Sequence, residues 1–365
     1  MLKILQADKR KWNGFLINNN ASFLQSWEWG NFQETLGRKV WRIAVAGANE
    51  NIWGQMLLIK KPLPLNKNYL YVPFGPCLEN SLTARQKNEV LALLLKNIEQ
   101  ISQQEKAVYC YIEPFWGLFS FETFPQVFQE KIKVAKPQKR IQPQKTLVID
   151  LSPSEEQIFK NLKSKTTRYN IRFAQKQGVK FLAPQKIGDK EIQIFYDLAQ
   201  KSAQRDGFVN YPKEYFVNLF SVSGCSLGPH NSKAQDLFAE YASSEQMQVQ
   251  LFFSQYEKEI IAANIFIFFG KIAVHLFGGF NYDFRKLMAP YFMHYQQMLF
   301  AKNKMGCTIY DFWGIDEKKW PGVTHFKRSF GGKEIEYPTG YDIVIDNFWY
   351  GFFKTARKIL NKIKK

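Results

Sequence analysis

The sequence is poor in the residues that hold metals and disulfides. Its 365 residues include four cysteines, Cys77, Cys110, Cys225 and Cys307, and four histidines, His230, His275, His294 and His325, all scattered. No C-x-x-C pair occurs, so the sequence indicates neither a zinc site nor a disulfide framework. No Ser/His/Asp or Cys/His pattern marks an activated nucleophile either. Long apolar runs are also missing: "IIAANIFIFFG" is cut off by Lys271, and the N-terminal "MLKILQADKRKW" has no apolar centre. A cytoplasmic protein with neither signal peptide nor membrane span is expected. Acid is in short supply. Lys+Arg 50 against Asp+Glu 32 gives a formal charge of +18, which favours polyanionic partners such as nucleic acid, nucleotide phosphates or anionic lipid. A surface kept soluble by charge alone is the plainer alternative.

What is present points to a folded chain throughout. Hydrophobic residues make up 45% and aromatic residues 16%, and no long polar tract interrupts them. A chain of 365 residues exceeds the size at which one core stops growing, so two domains are expected. The many rings suit stacking sites, although most of them will be core.

The order of elements repeats. "VWRIAVAGANENIWGQMLLIKKPLPLNKNYLYVPFGP" reads as strand, Asn/Gly turn, longer strand, Pro-rich loop and strand, followed by a helix over about 82–103 and the strand "AVYCYIEP". "VQLFFSQYEKEIIAANIFIFFGKIAVHLFGGF" gives strand, charged turn, long strand, Gly turn and strand, then a helix over "APYFMHYQQMLFAKNKMG" and the strand "CTIYDFWG". Two copies of one mixed α/β unit are the economical reading. Between them, Ser152 with Glu155 and Glu156 predicts the capped start of one long basic helix that ends at Gly178. Its cations Arg168, Arg172 and Lys176 recur every four residues and share a face. That face is either solvated or turned to phosphate. The terminal "DNFWYGFFKTARKILNKIKK" predicts an amphipathic basic helix, suited to an anionic bilayer surface or to covering the first domain.

Seven segments, in order, resemble the FemABX family of peptidoglycan-bridge aminoacyltransferases, and they span nearly the whole chain. They are "FLQSWEWGNFQETLGRKVWRI", "YLYVPFGPCL", "LKSKTTRYNIRFAQKQGV", "RDGFVNYPKEYF", "IIAANIFIFFG", "LMAPYFMHYQQMLFAKNKMGCTIYDFWGID" and "GVTHFKRSFGG". The resemblance implies an α/β (α+β) fold of two tandem GNAT-like domains, the second inserted into the first. Domain 1 would hold residues 1–147 and 320–365, and domain 2 residues 148–319. It implies transfer of an amino acid from aminoacyl-tRNA to the stem-peptide amine of a UDP-N-acetylmuramyl pentapeptide or of lipid II, with no cofactor. Some family members carry a two-helix arm; the segment between Ala199 and Val249 is too short and too rich in Gly and Ser for one, so a compact chain is expected.

The resemblance also assigns residues. A late Phe-Lys pair at the family's reaction centre matches Phe326 and Lys327. Lys327 would stabilise an oxyanion or the leaving ribose oxygen, and Phe326 would shape the pocket. Acceptor-binding positions match Tyr215, Glu113 and Phe277, the last a ring without the family's hydroxyl. The cations that clamp the acceptor's diphosphate are replaced by Gln33 and Tyr211, which leaves Arg38, Arg205 or Lys213 to neutralise phosphate. The charge stripe, not the resemblance, makes Lys163, Lys165, Arg168 and Arg172 the candidates for tRNA phosphates.

Two rival readings remain. An acyl-CoA N-acyltransferase would need a Gly-rich turn at a helix N-terminus, and "NYDFRKLMAPY" has no glycine and carries Pro290. A nonenzymatic nucleic-acid or membrane-binding protein is the other, kept open by Gln33, Tyr211 and Phe277.

Overall fold

The computed structural model describes residues 2–47, 50–115, 133–137, 139–223 and 245–363. Residues 224–244, part of the segment on which the expectation of a compact, armless chain rests, lie outside them. The chain divides into two units, Met1–Gln144 with Glu336–Lys365, and Lys145–Ile335. The return to the first unit therefore falls after Ile335, later than the residue 320 expected from the sequence. The segment that carries Lys327 packs with the second unit, through Phe326 and Phe330 in that unit's core.

The first unit begins with β1 (Lys3–Leu5), α1 (Lys9–Asn18), α2 (Trp27–Thr35), β2 (Val40–Ala46), β3 (Ile52–Leu63), β4 (Lys67–Val72) and β5 (Cys77–Leu78). It continues through α3 (Ala84–Gln104), β6 (Tyr109–Ile112) and β7 (Lys133–Ala135). The second unit holds β8 (Lys145–Asp150), α4 (Glu155–Asn161), α5 (Lys165–Lys176), β9 (Lys180–Leu182), α6 (Asp189–Asp206) and α7 (Lys213–Ser221). After these come β10 (Gln248–Tyr256), β11 (Glu259–Phe269), β12 (Ile272–Phe280), α8 (Ala289–Asn303), β13 (Ile309–Asp311), α9 (Pro321–Arg328) and β14 (Lys333–Glu336). Finally β15 (Tyr341–Val344) and α10 (Asn347–Ile363) return to the first unit.

Each unit is one sheet, ordered β1-β2-β3-β4-β6-β15-β7 in the first and β14-β8-β13-β12-β11-β10-β9 in the second. The repeat read from the sequence is the run β2-β3-β4-α3-β6 against β10-β11-β12-α8-β13. In both, two antiparallel hairpins lead to a strand that pairs parallel with the one after the helix, β4 with β6 and β12 with β13. The strand that closes each run comes from elsewhere in the chain: β15 lies antiparallel to β6, and β8 antiparallel to β13. That placement of β15 makes the second unit an insertion in the first.

The single long basic helix expected from 152 to 178 is two helices. Ser154, not Ser152, caps α4, and Ser164 caps α5 by accepting from the Thr166 N–H. Leu162 between them takes an extended ψ of 122° and is buried in the core, which breaks the run. Such a local cap outcompetes continuation of the helix, because Ser hydrogen-bonds backbone donors better at an end than inside.

Candidate active site

The chain from β13 to β14 builds the setting of Lys327. β13 pairs with β12 only over Ile272–Val274 against Ile309–Asp311, while β12 runs on to Phe280, so the two strands part just beyond Asp311. Asp311 is buried and accepts from the Trp313 N–H at 2.7 Å and from the Thr146 hydroxyl on β8. This turn holds Trp313 at φ 58°, a left-handed conformation that a bulky side chain rarely adopts. The carbonyls of Trp313 and Gly314 then both accept from the Lys327 Nζ, at 3.1 and 2.7 Å.

Lys327 itself lies on a helix. Pro321 opens α9 at a position that suits its fixed φ, and His325, Lys327 and Arg328 fill the last turn, where the helix dipole favours cations. Thr324 and Lys327, three apart, are its buried pair. Gly332 then turns the chain at φ 88°, and a Cβ there would stand 2.3 Å from the Val148 carbonyl oxygen, so only glycine fits.

The two cations of "FKRS" have opposite fates. Arg328 is bound outside by Glu334 at 2.6 Å and by Glu317. Lys327 is 7% exposed, and burial lowers its pKa to about 8 against the opposing pull of Asp311. Two of its three N–H donors are spent on carbonyls and one remains. Phe326 beside it packs edge-on against Tyr291 and Phe330 and tilted on His294, with centroids 4.9, 5.3 and 5.4 Å away.

A buried polar row that the sequence did not reveal lies within electrostatic reach of Lys327. The His275 and His294 rings meet edge-on at 4.8 Å, and His294 Nδ1 is 2.6 Å from the Tyr310 hydroxyl. Burial pushes the His275 pKa down to about 3 and that of His294 well below its ordinary value. Both imidazoles are therefore neutral, and the positive charge rests on Lys327.

A second cluster in the same unit gathers three residues predicted to bind acceptor. Tyr211 stacks on Tyr215 at 4.1 Å, and Phe277 of β12 stands edge-on to both at 5.9 and 6.1 Å. The cations expected nearby are already neutralised. Lys213 pairs with Asp189 at 2.7 Å, and Arg205 grips Asp206 with two bonds of 2.7 and 2.8 Å. A phosphate would first have to displace those carboxylates.

In the first unit the Gln33 position looks different. Gln33 on α2 is 2% exposed, and its Oε1 accepts from Arg38 Nη1 at 2.5 Å and faces Lys61 Nζ at 3.5 Å. Burial, then the neighbouring Arg38, lowers the Lys61 pKa to about 7. Two cations thus converge on one neutral amide oxygen, and the described residues put no carboxylate in an ion pair with either. Lys61 was missed in the sequence. Successive strand residues face opposite ways, so of the pair in "LLIKKPLP" Lys60 meets Glu105 at 2.8 Å and Lys61 must turn to the other face. Glu113, predicted to bind acceptor, is fully buried with both oxygens occupied. It accepts from Tyr71 and Tyr111 hydroxyls and from the Ile141 and Gln142 N–H groups at 2.9 and 3.1 Å. Burial raises its pKa, and those donors hold it back.

The four candidates for tRNA phosphates differ in their surroundings. Lys163, Lys165 and Arg172 are exposed. Arg168 differs: its Nη1 donates to the Leu162 and Lys160 carbonyls and ends α4, so its charge is committed within the protein. The stripe adjoins the end of α9, since the Lys163 N–H donates to the Phe330 carbonyl at 3.2 Å and the Thr167 hydroxyl to the Ser329 carbonyl at 2.8 Å.

Comparison with known proteins gives the following. The FemAB family matches the chain over residues 8–136, 133–224 and 229–358. The lipid II:glycine glycyltransferase of Staphylococcus epidermidis (strain ATCC 35984) is 24% identical over 399 residues, spanning 94% of this chain and 93% of the relative. The crystal structure of FemX superposes with a TM-score of 0.78 at 17% identity, covering 96% of this chain and 100% of the other. A tandem GNAT protein from the clavulanic acid pathway shares the fold at a TM-score of 0.53 and 8% identity, covering 94% and 98%.

Proposed function

The chain belongs to the FemAB family and is an aminoacyltransferase of that type; from that premise we propose that it transfers an amino acid from aminoacyl-tRNA to the stem-peptide amine of lipid II, with Lys327 as the oxyanion-stabilising cation. The neutral amine attacks the ester carbonyl. A C–N bond forms, the carbonyl electron pair moves to oxygen, and collapse then breaks the bond to the tRNA ribose oxygen, which takes up the amine's proton. Positive charge at the carbonyl oxygen speeds this step most when it is fixed and shielded from water. The observation that carries the proposal is the Lys327 ammonium: buried, held by two carbonyls, with one N–H left to give. Phe326 would line the aminoacyl group, and holding the two substrates together supplies much of the remaining rate.

Lys163, Lys165 and Arg172 would hold tRNA phosphates beside α9. Tyr211, Tyr215 and Phe277 would offer an apolar wall to a ligand of the second unit, and in the first unit Arg38 with Lys61 would be the candidates for binding the acceptor's phosphate. The lipid-linked acceptor is chosen because the staphylococcal relative is named for it, and the acid-free C-terminal helix would bring the enzyme to the membrane where such an acceptor lies. The test is incubation with charged tRNA and either lipid II or the UDP-linked precursor, following label into the stem peptide. Transfer to lipid II supports the proposal. Transfer from acetyl-CoA alone would replace it with acyl-CoA chemistry, and no transfer from any donor would leave a binding protein.

A further inference from the structure

The C-terminal helix α10 has one face accounted for and another that is not. Its inner face packs on the first unit, where Tyr350 joins Val108 and Val344 and Trp349 and Phe353 pack against that cluster. The Tyr350 hydroxyl donates to Asp342 at 2.8 Å, and the Lys67 ammonium sits 4.6 Å over the Trp349 ring. These contacts fix the rotation of the helix. They leave Phe348, Phe352 and Ile359 facing out, 73%, 46% and 54% exposed, at spacings of four and seven that place them on one line. Leu360 beside them is 57% exposed. The Phe348 and Phe352 rings each lean edge-on against Trp349, at 5.6 and 5.4 Å, so the apolar ridge has a firm base.

Lys354 and Lys358, one turn apart, are both exposed; at 100° per residue Lys358 flanks this ridge, about 100° round the helix, and Lys354 lies further round, at about 140°. No acidic residue follows Asp346. Contiguous apolar side chains on a soluble surface mark a contact, and here the flank fixes its sign. We propose that α10 lies in the plane of an anionic lipid bilayer, with Phe348, Phe352 and Ile359 entering the boundary between headgroups and acyl chains, Lys358 reaching the lipid phosphates from the flank and Lys354 adding to the attraction from further round. A second copy seated on the same face would bring two lysine rows and two chains of +18 together, an arrangement that like charge opposes. Attachment is peripheral, because among the described residues no helix is long and apolar enough to cross a membrane. The inference deepens the proposed function in one respect only, the lipid-linked acceptor, and catalysis does not depend on it.

The experiment is flotation of the full chain with phosphatidylglycerol/phosphatidylcholine vesicles and with phosphatidylcholine alone. It compares wild type, the triple variant Phe348→Ser/Phe352→Ser/Ile359→Ser and the double variant Lys354→Glu/Lys358→Glu. Wild type is expected on anionic vesicles and not on neutral ones. Both variants should bind about tenfold more weakly or worse, with salt weakening wild type further. Circular dichroism melting and transfer to a water-soluble stem peptide, both expected unchanged, separate lost docking from lost folding or lost catalysis. Equal flotation of wild type and the triple variant would overturn the inference. So would a wild-type dimer that the triple variant breaks while vesicle binding is absent.

Discussion

At the scale of the residue, the account turns on one buried ammonium and its surroundings. Replacing Lys327 with Met keeps the bulk and removes the charge, so transfer should fall by roughly 10²-fold or more, the scale of losing one oxyanion donor. Stability should hardly change with it, because relief of the cost of burying an ammonium lowered to about 8 offsets the bonds lost by the Trp313 and Gly314 carbonyls. A melting curve close to that of wild type, together with dead transfer, is the expected pair of results. The pH dependence has a definite sign. Lys327 works as a cation, so its contribution to transfer is lost as pH rises through about 8, which opposes the gain from deprotonating the attacking amine and turns the profile down once that amine is neutral. The folded pKa lies below the unfolded value of 10.5, so between the two the unfolded chain binds the extra proton and Lys327's contribution to stability increases with pH. The neighbouring charge that opposes the shift is Asp311, since His275 and His294 are neutral. Asp311→Asn should therefore move the alkaline limb of the pH–rate profile to lower pH; an unmoved limb would remove Asp311 from the site. In the first unit, Lys61→Met should raise the acceptor KM by about tenfold with little change in kcat, as expected for a lost contact to phosphate rather than to the reacting atoms.

At the scale of the element, the stripe on α5 separates cations that serve a ligand from one that serves the fold. Replacing Lys163, Lys165 and Arg172 with Ala should weaken tRNA binding at every sequence and reduce the salt slope by about two to three, one step per phosphate contact. Arg168→Ala should instead cost about 1 kcal/mol of stability through the freed carbonyls at the end of α4, and change the slope little. An equal slope for wild type and the triple variant, measured by filter binding, would take the stripe out of the donor site. How much of this was readable in the sequence follows from range. Local signals carried well: the helix expected over about 82–103 is α3, capped in the structure by Thr83 with Gln86, and Gly178 ends the basic stretch. Signals that depend on partners did not. Arg168 is indistinguishable in sequence from Arg172 because the Leu162 carbonyl that takes it appears only once α4 and α5 separate. The "PGVTHFKR" helix was hidden because its buried pair, Thr324 and Lys327, is polar and leaves no apolar period to read. Asp311 and Lys61 gain meaning only from a turn and a sheet face that bring distant residues to them.

At the scale of the whole molecule, the repeat was legible because two runs of strand, strand, strand, helix and strand keep their order even where the residues differ, whereas the insertion was implied only by the family resemblance. The point of return was not, because β14 pairs with β8 and keeps the chain in the second unit until Ile335. That pairing joins residues far apart in sequence and leaves no local trace. The excess of positive charge finds distinct uses along this architecture: committed inside at Lys327 and Arg168, paired at Arg328, Lys213 and Arg205, and open on α5 and α10. The open groups suit polyanions, and the buried one suits chemistry. The most direct measurement is label transfer from charged tRNA to lipid II by wild type and by Lys327→Met, with tRNA and acceptor binding measured on both. The account predicts transfer by wild type and a loss of roughly 10²-fold or more in the variant, with both affinities retained. Wild-type turnover by Lys327→Met would contradict it.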